Sequence, residues 1–210
     1  EAIGSLIMAL GDDVIKYVEL AAAANSVDIP MRGYRFDMGN FINRLSDEVA
    51  WLGITRDELR SMIESARSIG YVVDNAGEFQ VDKALLIKLR ELGKEVVVYA
   101  RSEPYEVDVT ASYVINETRD LGIKVVGSGS AYTALFNKEL WDGMRRHDVL
   151  FLKGLDNFET YLELDPPLSN AIMVLRVKCP LIARILNIPI NTPIIATPAY
   201  VMSKFRVAVS

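Results

Sequence analysis

A chain of 210 residues and 23.4 kDa is long enough for one substantial core with a small appended subdomain. Half of its residues are hydrophobic and 24% are charged, an ordinary globular composition. The formal net charge of −5 argues against broad nucleic-acid binding, yet it leaves room for a locally positive pocket that takes small anions.

The single cysteine, Cys179, rules out an intrachain disulfide and a cysteine-rich zinc site, and suits a reducing, cytoplasmic setting. No apolar run approaches the roughly 20 residues of a bilayer span, and the opening residues lack a signal-peptide pattern. The expected partner is a small molecule, with neither nucleic acid nor membrane involved. Oligomeric state has no signature in the sequence.

Residues 3–24 carry apolar positions at helical spacing, from Ile3 to Val18 and then an alanine run ending at Asn25. Arg32–Met38 reads as loop and Phe41–Leu45 as a short helix. Thr55 with Glu58 forms a capping box that predicts a helix over Arg56–Ser68. Residues 1–69 thus read as a helical N-terminal subdomain, and 70–210 as the catalytic α/β domain.

From residue 70 the rhythm changes. Apolar runs at Tyr71–Val73, Val96–Ala100, Ile123–Val126, Val149–Leu152, Ile172–Val177 and Ile194–Ala196 predict strands. Between them, helix-like segments fall at Asp82–Leu92, Thr110–Leu121, Lys138–Arg145, Asn157–Leu164 and Pro180–Leu186. Strands apolar on both faces and separated by helices predict a three-layer α/β/α fold with a mostly parallel sheet.

Ligands of such sheets bind at the carboxyl ends of the strands, so the residues after each run carry the functional reading. The first run is followed by Asp74 and Asn75, with Gly77 and Glu78 next. Arg101 and Ser102 follow the second, with Asp108 and Thr110 in the loop beyond. The third is followed by Gly127-Ser128-Gly129-Ser130, the fourth by Lys153, Gly154 and Asn157, and the fifth by Lys178. Oxygen donors such as Asp74, Asn75 and Asp108 suit a hard divalent cation. Lys153 and Lys178 offer point charges to a phosphate, and the Gly-Ser turn offers backbone N–H groups. Together these are the parts of a metal-dependent enzyme acting on a phosphate ester.

Five segments now carry a resemblance. Asp74-Asn75-Ala76-Gly77-Glu78 followed by Asp82, then Asp108-Val109-Thr110, then Lys153-Gly154 with Asn157-Phe158-Glu159-Thr160, then Val177-Lys178-Cys179-Pro180, together with Ala23 to Asp28 upstream, resemble in order the motifs of the damage-control phosphatase family, also catalogued as domain of unknown function 89. The small stand-alone archaeal members are nearest in size and style. The resemblance implies a metal-dependent phosphatase of sugar phosphates or damaged phosphorylated metabolites, a role in metabolite repair. It assigns the metal to Asp74, Asn75 and Asp108 and the phosphate contact to Lys153; Glu78, beside them, reads as a supporting or proton-shuttling residue. Asn25, Asp28, Arg101, Ser128, Asn157, Glu159 and Lys178 are the expected substrate contacts. The ion expected is Mn²⁺, Co²⁺, Ni²⁺ or Mg²⁺. Two departures stand out: Val107 replaces a common asparagine, and the N-terminal helical segment of longer members, often bearing two cysteines, is not found in this sequence.

Plainer readings stand beside these. Asp74 and Asn75 suit a turn, Asp108 an N-cap, Glu78 a solvated early-helix carboxylate, and Asn157 and Glu159 a helix start. The two lysines could snorkel past strand ends. Asn25 suits a left-handed helix C-cap and Asp28 a local cap. His147 is expected to be solvated at a helix end, which speaks against histidine catalysis, and Cys179 to be an inert buried thiol. The Gly-Ser turn lacks the third glycine of a dinucleotide site. Asp74 reads as either ligand or nucleophile; Ala76 stands where a haloacid-dehalogenase-type nucleophile wants a second aspartate, which favours water activated by the ion. The alternatives in other classes are a carboxyl methyltransferase and an inactive phosphometabolite-binding protein.

Overall fold

The computed structural model describes residues 2–25, 43–106 and 108–209. The expectations for Asp28, for the loop 32–38, for residues 41 and 42 of the short helix and for Val107 lie outside the described residues. The helices are α1 (Ala2–Ala9), α2 (Val14–Ala24), α3 (Arg56–Ser65), α4 (Phe79–Glu91), α5 (Ala111–Glu117), α6 (Trp141–Arg145), α7 (Gly154–Leu164), α8 (Pro180–Leu186) and α9 (Pro198–Val209). The strands are β1 (Ala50–Leu52), β2 (Ser68–Val72), β3 (Glu95–Ala100), β4 (Lys124–Gly127), β5 (Val149–Lys153), β6 (Ala171–Arg176) and β7 (Pro193–Ala196).

They form one sheet in the order β1-β7-β6-β5-β2-β3-β4. All neighbours are parallel except β6 and β7. Strand alternation splits the core into two layers. Tyr71, Phe151, Ile172 and Val174 face Ile15, Leu59 and Leu86 of α2, α3 and α4. Val72, Leu150, Leu152 and Met173 face Met144, Phe158, Ile182 and Val201 of α6, α7, α8 and α9. The expected α/β/α sandwich is therefore present. Among the described residues no helix is long and apolar enough to cross a membrane.

β7 runs antiparallel to β6, with Met173 opposite Ala196 and Arg176 opposite Pro193. Pairing of β1 with β7 then extends the sheet with a strand too short to be read from the sequence.

Three further expectations need correction. The helix expected over residues 3–24 is broken at Gly11, whose φ of +64° leaves the helical region, and Asp13 caps a new start by accepting from Ile15 N at 3.0 Å. The capping box is present, with Thr55 N donating to Glu58 Oε2 at 2.7 Å and Glu58 N to Thr55 Oγ1 at 3.2 Å, but α3 stops at Ser65 because Ser68 already belongs to β2. His147 is buried rather than solvated: its Nδ1 meets Ser68 Oγ at 2.5 Å and its Nε2 meets Tyr99 Oη at 2.9 Å. Gly70 makes room for it, since a Cβ there would lie 2.6 Å from His147 Cδ2.

Burial holds the His147 imidazole below its ordinary pKa of 6.5. The folded state thus keeps it neutral where the unfolded chain would protonate, and this contribution to stability is lost as pH falls below 6.5. Proton NMR of the sole imidazole in the sequence should give a midpoint under 6.5; a midpoint at or above that value would contradict the buried placement.

Candidate active site

The strand order reverses between β2 and β5: β3 and β4 lie on one side of β2, and β5 and β6 on the other. The crevice at the carboxyl ends of these two strands is where an open parallel sheet receives ligands. Asp74 and Asn75 leave β2 on one side of it, and Lys153 and Gly154 end β5 on the other.

The two strand ends touch. Gly154 adopts φ +82°, and a Cβ built on it would lie 1.7 Å from Asp74 Oδ2. Only a glycine therefore lets the Asp74 carboxylate enter this corner. Asn157 ties the same ends together, donating from Nδ2 to Val73 O at 3.1 Å and to Lys153 O at 2.6 Å, while Thr133 Oγ1 donates to its Oδ1.

Beneath the crevice lies a fully buried charged layer. Lys153 Nζ stands 2.9 Å from Glu78 Oε1 and 3.3 Å from Asp82 Oδ1, with all three side chains fully buried. These are ion-pair distances without the alignment of hydrogen bonds. Tyr71 Oη donates to Asp82 Oδ1 at 2.9 Å. Asn25 Nδ2 reaches both Glu78 oxygens at 3.0 Å and Asp74 Oδ2 at 3.2 Å. Burial alone would lower the Lys153 pKa, but Asp82 and Glu78 overcome it and hold the ammonium above its ordinary value. Burial pushes Asp82 up to about 7, against the pull of Lys153.

The outer layer is acidic. Burial, then Glu78 and Asp108, push the Asp74 carboxyl well above the usual carboxylate range, with Lys153 opposing. Asp108 is likewise raised by burial, although Arg101 Nε lies 2.5 Å from its Oδ2. An isolated antiparallel bridge pairs Asn75 with Asp108, and Asp74 O accepts from Val109 N at 2.9 Å. Asn75 Oδ1 is buried and has no hydrogen-bond donor among the described residues.

The arrangement brings together Asn25, Asp74, Asn75, Glu78, Asp108, Arg101, Lys153 and Asn157. Glu78 is thereby a buried partner of Lys153, not a solvated carboxylate. Asn25 ends α2 at φ −66°, outside the left-handed region, and its Oδ1 accepts from Arg176 N at 3.1 Å. Three other expected contacts have these surroundings. Ser128 Oγ donates to Ser130 O at 2.8 Å and Glu159 is exposed on α7, while Lys178 is half-buried just beyond β6. Three contributors escaped sequence reasoning. Tyr71 and Asp156 look like an ordinary strand residue and an ordinary first-turn acid. Arg176 looks like a strand-end cation, yet it is buried and donates to Ala23 O, Arg44 O and Asn191 O. Its only sequence signal is an arginine inside an apolar run.

A divalent cation fits this donor set. Two carboxylates disfavoured in their charged form and an amide oxygen without a donor are what an ion would satisfy. Among the described residues no three Asp, Glu, His or Cys side chains form a chelating group by themselves.

Comparison with known proteins gives the family of the chain. Residues 3–192 match the damage-control phosphatase ARMT1-like domain, and the chain belongs to that family. It is 27% identical over 177 residues to damage-control phosphatase PH1575 of Pyrococcus horikoshii, a stretch covering 82% of this chain and 61% of that relative. It is 23% identical over 133 residues to the uncharacterized protein MJ0202 of Methanocaldococcus jannaschii, covering 61% of this chain and 44% of that one. The crystal structure of the domain-of-unknown-function-89 protein PH1575 from Pyrococcus horikoshii superposes with a TM-score of 0.69 at 28% identity, over 88% of this chain and 65% of that one. The chain thus spans less than two thirds of the relatives it matches.

Two measurements check this geometry. Gly154→Ala should lose about 1–3 kcal/mol of stability in urea unfolding from the positive φ alone, and displace Asp74 besides; wild-type stability would refute the close approach. Because the folded pKa of Asp82 is raised toward about 7, the folded protein holds a proton that the unfolded chain has released above its ordinary 3.8. Wild-type stability should therefore fall relative to Asp82→Asn as pH rises from 4 to 7, and a gap moving the other way would place Asp82 in a different environment.

Proposed function

We propose that this chain is a metal-dependent phosphatase that hydrolyses phosphomonoesters of small metabolites, such as sugar phosphates or damaged phosphorylated cofactors. The observation that carries the reading is the buried Asn75 Oδ1, without a donor among the described residues, beside the Asp74 carboxylate at the switch point of the sheet and next to Lys153. Family membership and the printed name of the Pyrococcus horikoshii relative support it.

Asp74, Asn75 and Asp108 would hold Mn²⁺, Co²⁺, Ni²⁺ or Mg²⁺. The bound ion supplies Lewis acidity to the transferring phosphoryl group. The chain's own residues supply the rest. Lys153 sets a fixed positive charge behind the crevice, and Glu78 and Asp82 keep it protonated. The N-cap residue Lys153 makes no side-chain capping bond, which leaves first-turn N–H groups of α7 for phosphate oxygens. Asn25 fixes the Asp74 carboxylate from behind and links it to Glu78. The buried inner layer keeps water from competing for these charges.

Release of phosphate from p-nitrophenyl phosphate with Mn²⁺ or Co²⁺ tests the reading. Turnover should require the ion, fall by about 100-fold or more in Asp74→Asn, and consume no methyl donor. Unchanged metal-dependent activity in that variant would remove Asp74 from the site.

A further inference from the structure

Arg101 is engaged along its whole fork. Its Nε lies 2.5 Å from Asp108 Oδ2, one terminal nitrogen donates to Ala131 O at 2.6 Å, and the other pairs with Asp156 Oδ2. The side chain is only 8% exposed, and its guanidinium carbon sits 5.0 Å from the centre of the Tyr105 ring. Two of the three polar anchors therefore lie off Asp108. A divalent ion on Asp74, Asn75 and Asp108 would contest the first anchor and leave the other two in place.

We propose that Arg101 and the divalent ion exchange on Asp108: the guanidinium neutralises this carboxylate until the ion binds, after which Asp156 and Ala131 hold it beside the ion as a second cation for the substrate phosphate. The inference rests on the metal-dependent reading above. It makes Asp156 a positioning residue that acts through Arg101. The released Nε–H edge keeps its charge and its planar donor geometry, which suit a phosphate oxygen. An arginine whose only task was to orient Asp108 for the ion would behave differently when removed.

Calorimetric titration of the full chain with Mn²⁺ separates the two. Arg101→Gln should bind Mn²⁺ about ten-fold more tightly than wild type, because the competitor is gone, while the Mn²⁺-loaded variant binds inorganic phosphate about ten-fold more weakly. Asp156→Asn should weaken Mn²⁺ binding by leaving Arg101 to Asp108, and most of that loss should vanish in the Arg101→Gln background. Equal or weaker Mn²⁺ binding by Arg101→Gln overturns the exchange but leaves the metal site standing. Absence of Mn²⁺ binding by wild type overturns the metal reading and the exchange with it. Should Arg101→Gln not fold, NMR of the wild-type Arg101 Nε–H decides: its resonance should shift and lose protection from water exchange on addition of Mg²⁺, and a signal that stays put refutes the proposal.

Discussion

The buried ammonium of Lys153 is the interaction on which the site depends. Its side chain is fully buried, as are those of Glu78 and Asp82. An ion taken out of water costs several kcal/mol unless it is paired, so this lysine tolerates the sheet edge only when α4 is docked to deliver both carboxylates. The lysine thus couples the end of β5 to α4, and Tyr71 on β2 completes the contact through Asp82. Asn25 extends the same network to α2, whose end is also held by Arg176 through Ala23 O. Helix α2 is thus fastened to the crevice by polar contacts as well as by apolar packing.

The two layers of the crevice differ in their balance of charge, and this difference gives each its task. Inside, the Lys153 cation faces Glu78 and an Asp82 that burial pushes up to about 7, so the layer approaches neutrality at ordinary pH. Outside, Asp108 and Asp156 pair with the Arg101 guanidinium, and both raise the neighbouring Asp74 carboxyl. Like charges a few ångströms apart repel by about 4 kcal/mol at 4 Å and an effective dielectric of 20. That repulsion is large enough to shape what the mouth accepts. A cation placed between these carboxylates would relieve it.

Much of this was legible in the sequence because strand ends are marked by abrupt changes of chemistry. Tyr71–Val73 giving way to Asp74, and Val149–Leu152 to Lys153, name both lips of the crevice. The order of the runs does not reveal which strands are neighbours. That β5 crosses to the far side of β2 is a long-range fact, and it is what brings Lys153 to Glu78. Arg101 was visible as a strand-end cation, but its choice of Asp108 and Asp156 depends on loops whose paths local sequence does not dictate. Ser128 is tied within its own turn, where its Oγ donates to Ser130 O and accepts from the backbone N–H of Ser102. His147 misled because flanking charges signalled solvent while Gly70 opened a buried slot across the sheet.

The crowding at Gly154 bears on whether Asp74 holds an ion or attacks phosphorus. Its Oδ2 accepts from Asn25 and is pressed against Gly154, where even one added carbon would lie 1.7 Å away. A nucleophilic oxygen must accept a tetrahedral phosphorus with room for three further oxygens, and Oδ2 has no such room on that side. A ligand needs only one lone pair, which the other oxygen can supply. A nucleophile must also be anionic before it reacts, whereas burial, Glu78 and Asp108 together disfavour the charged form of Asp74. A divalent ion reverses that preference by displacing the proton, so ion and proton compete for the same oxygen. Room and charge together favour ligation.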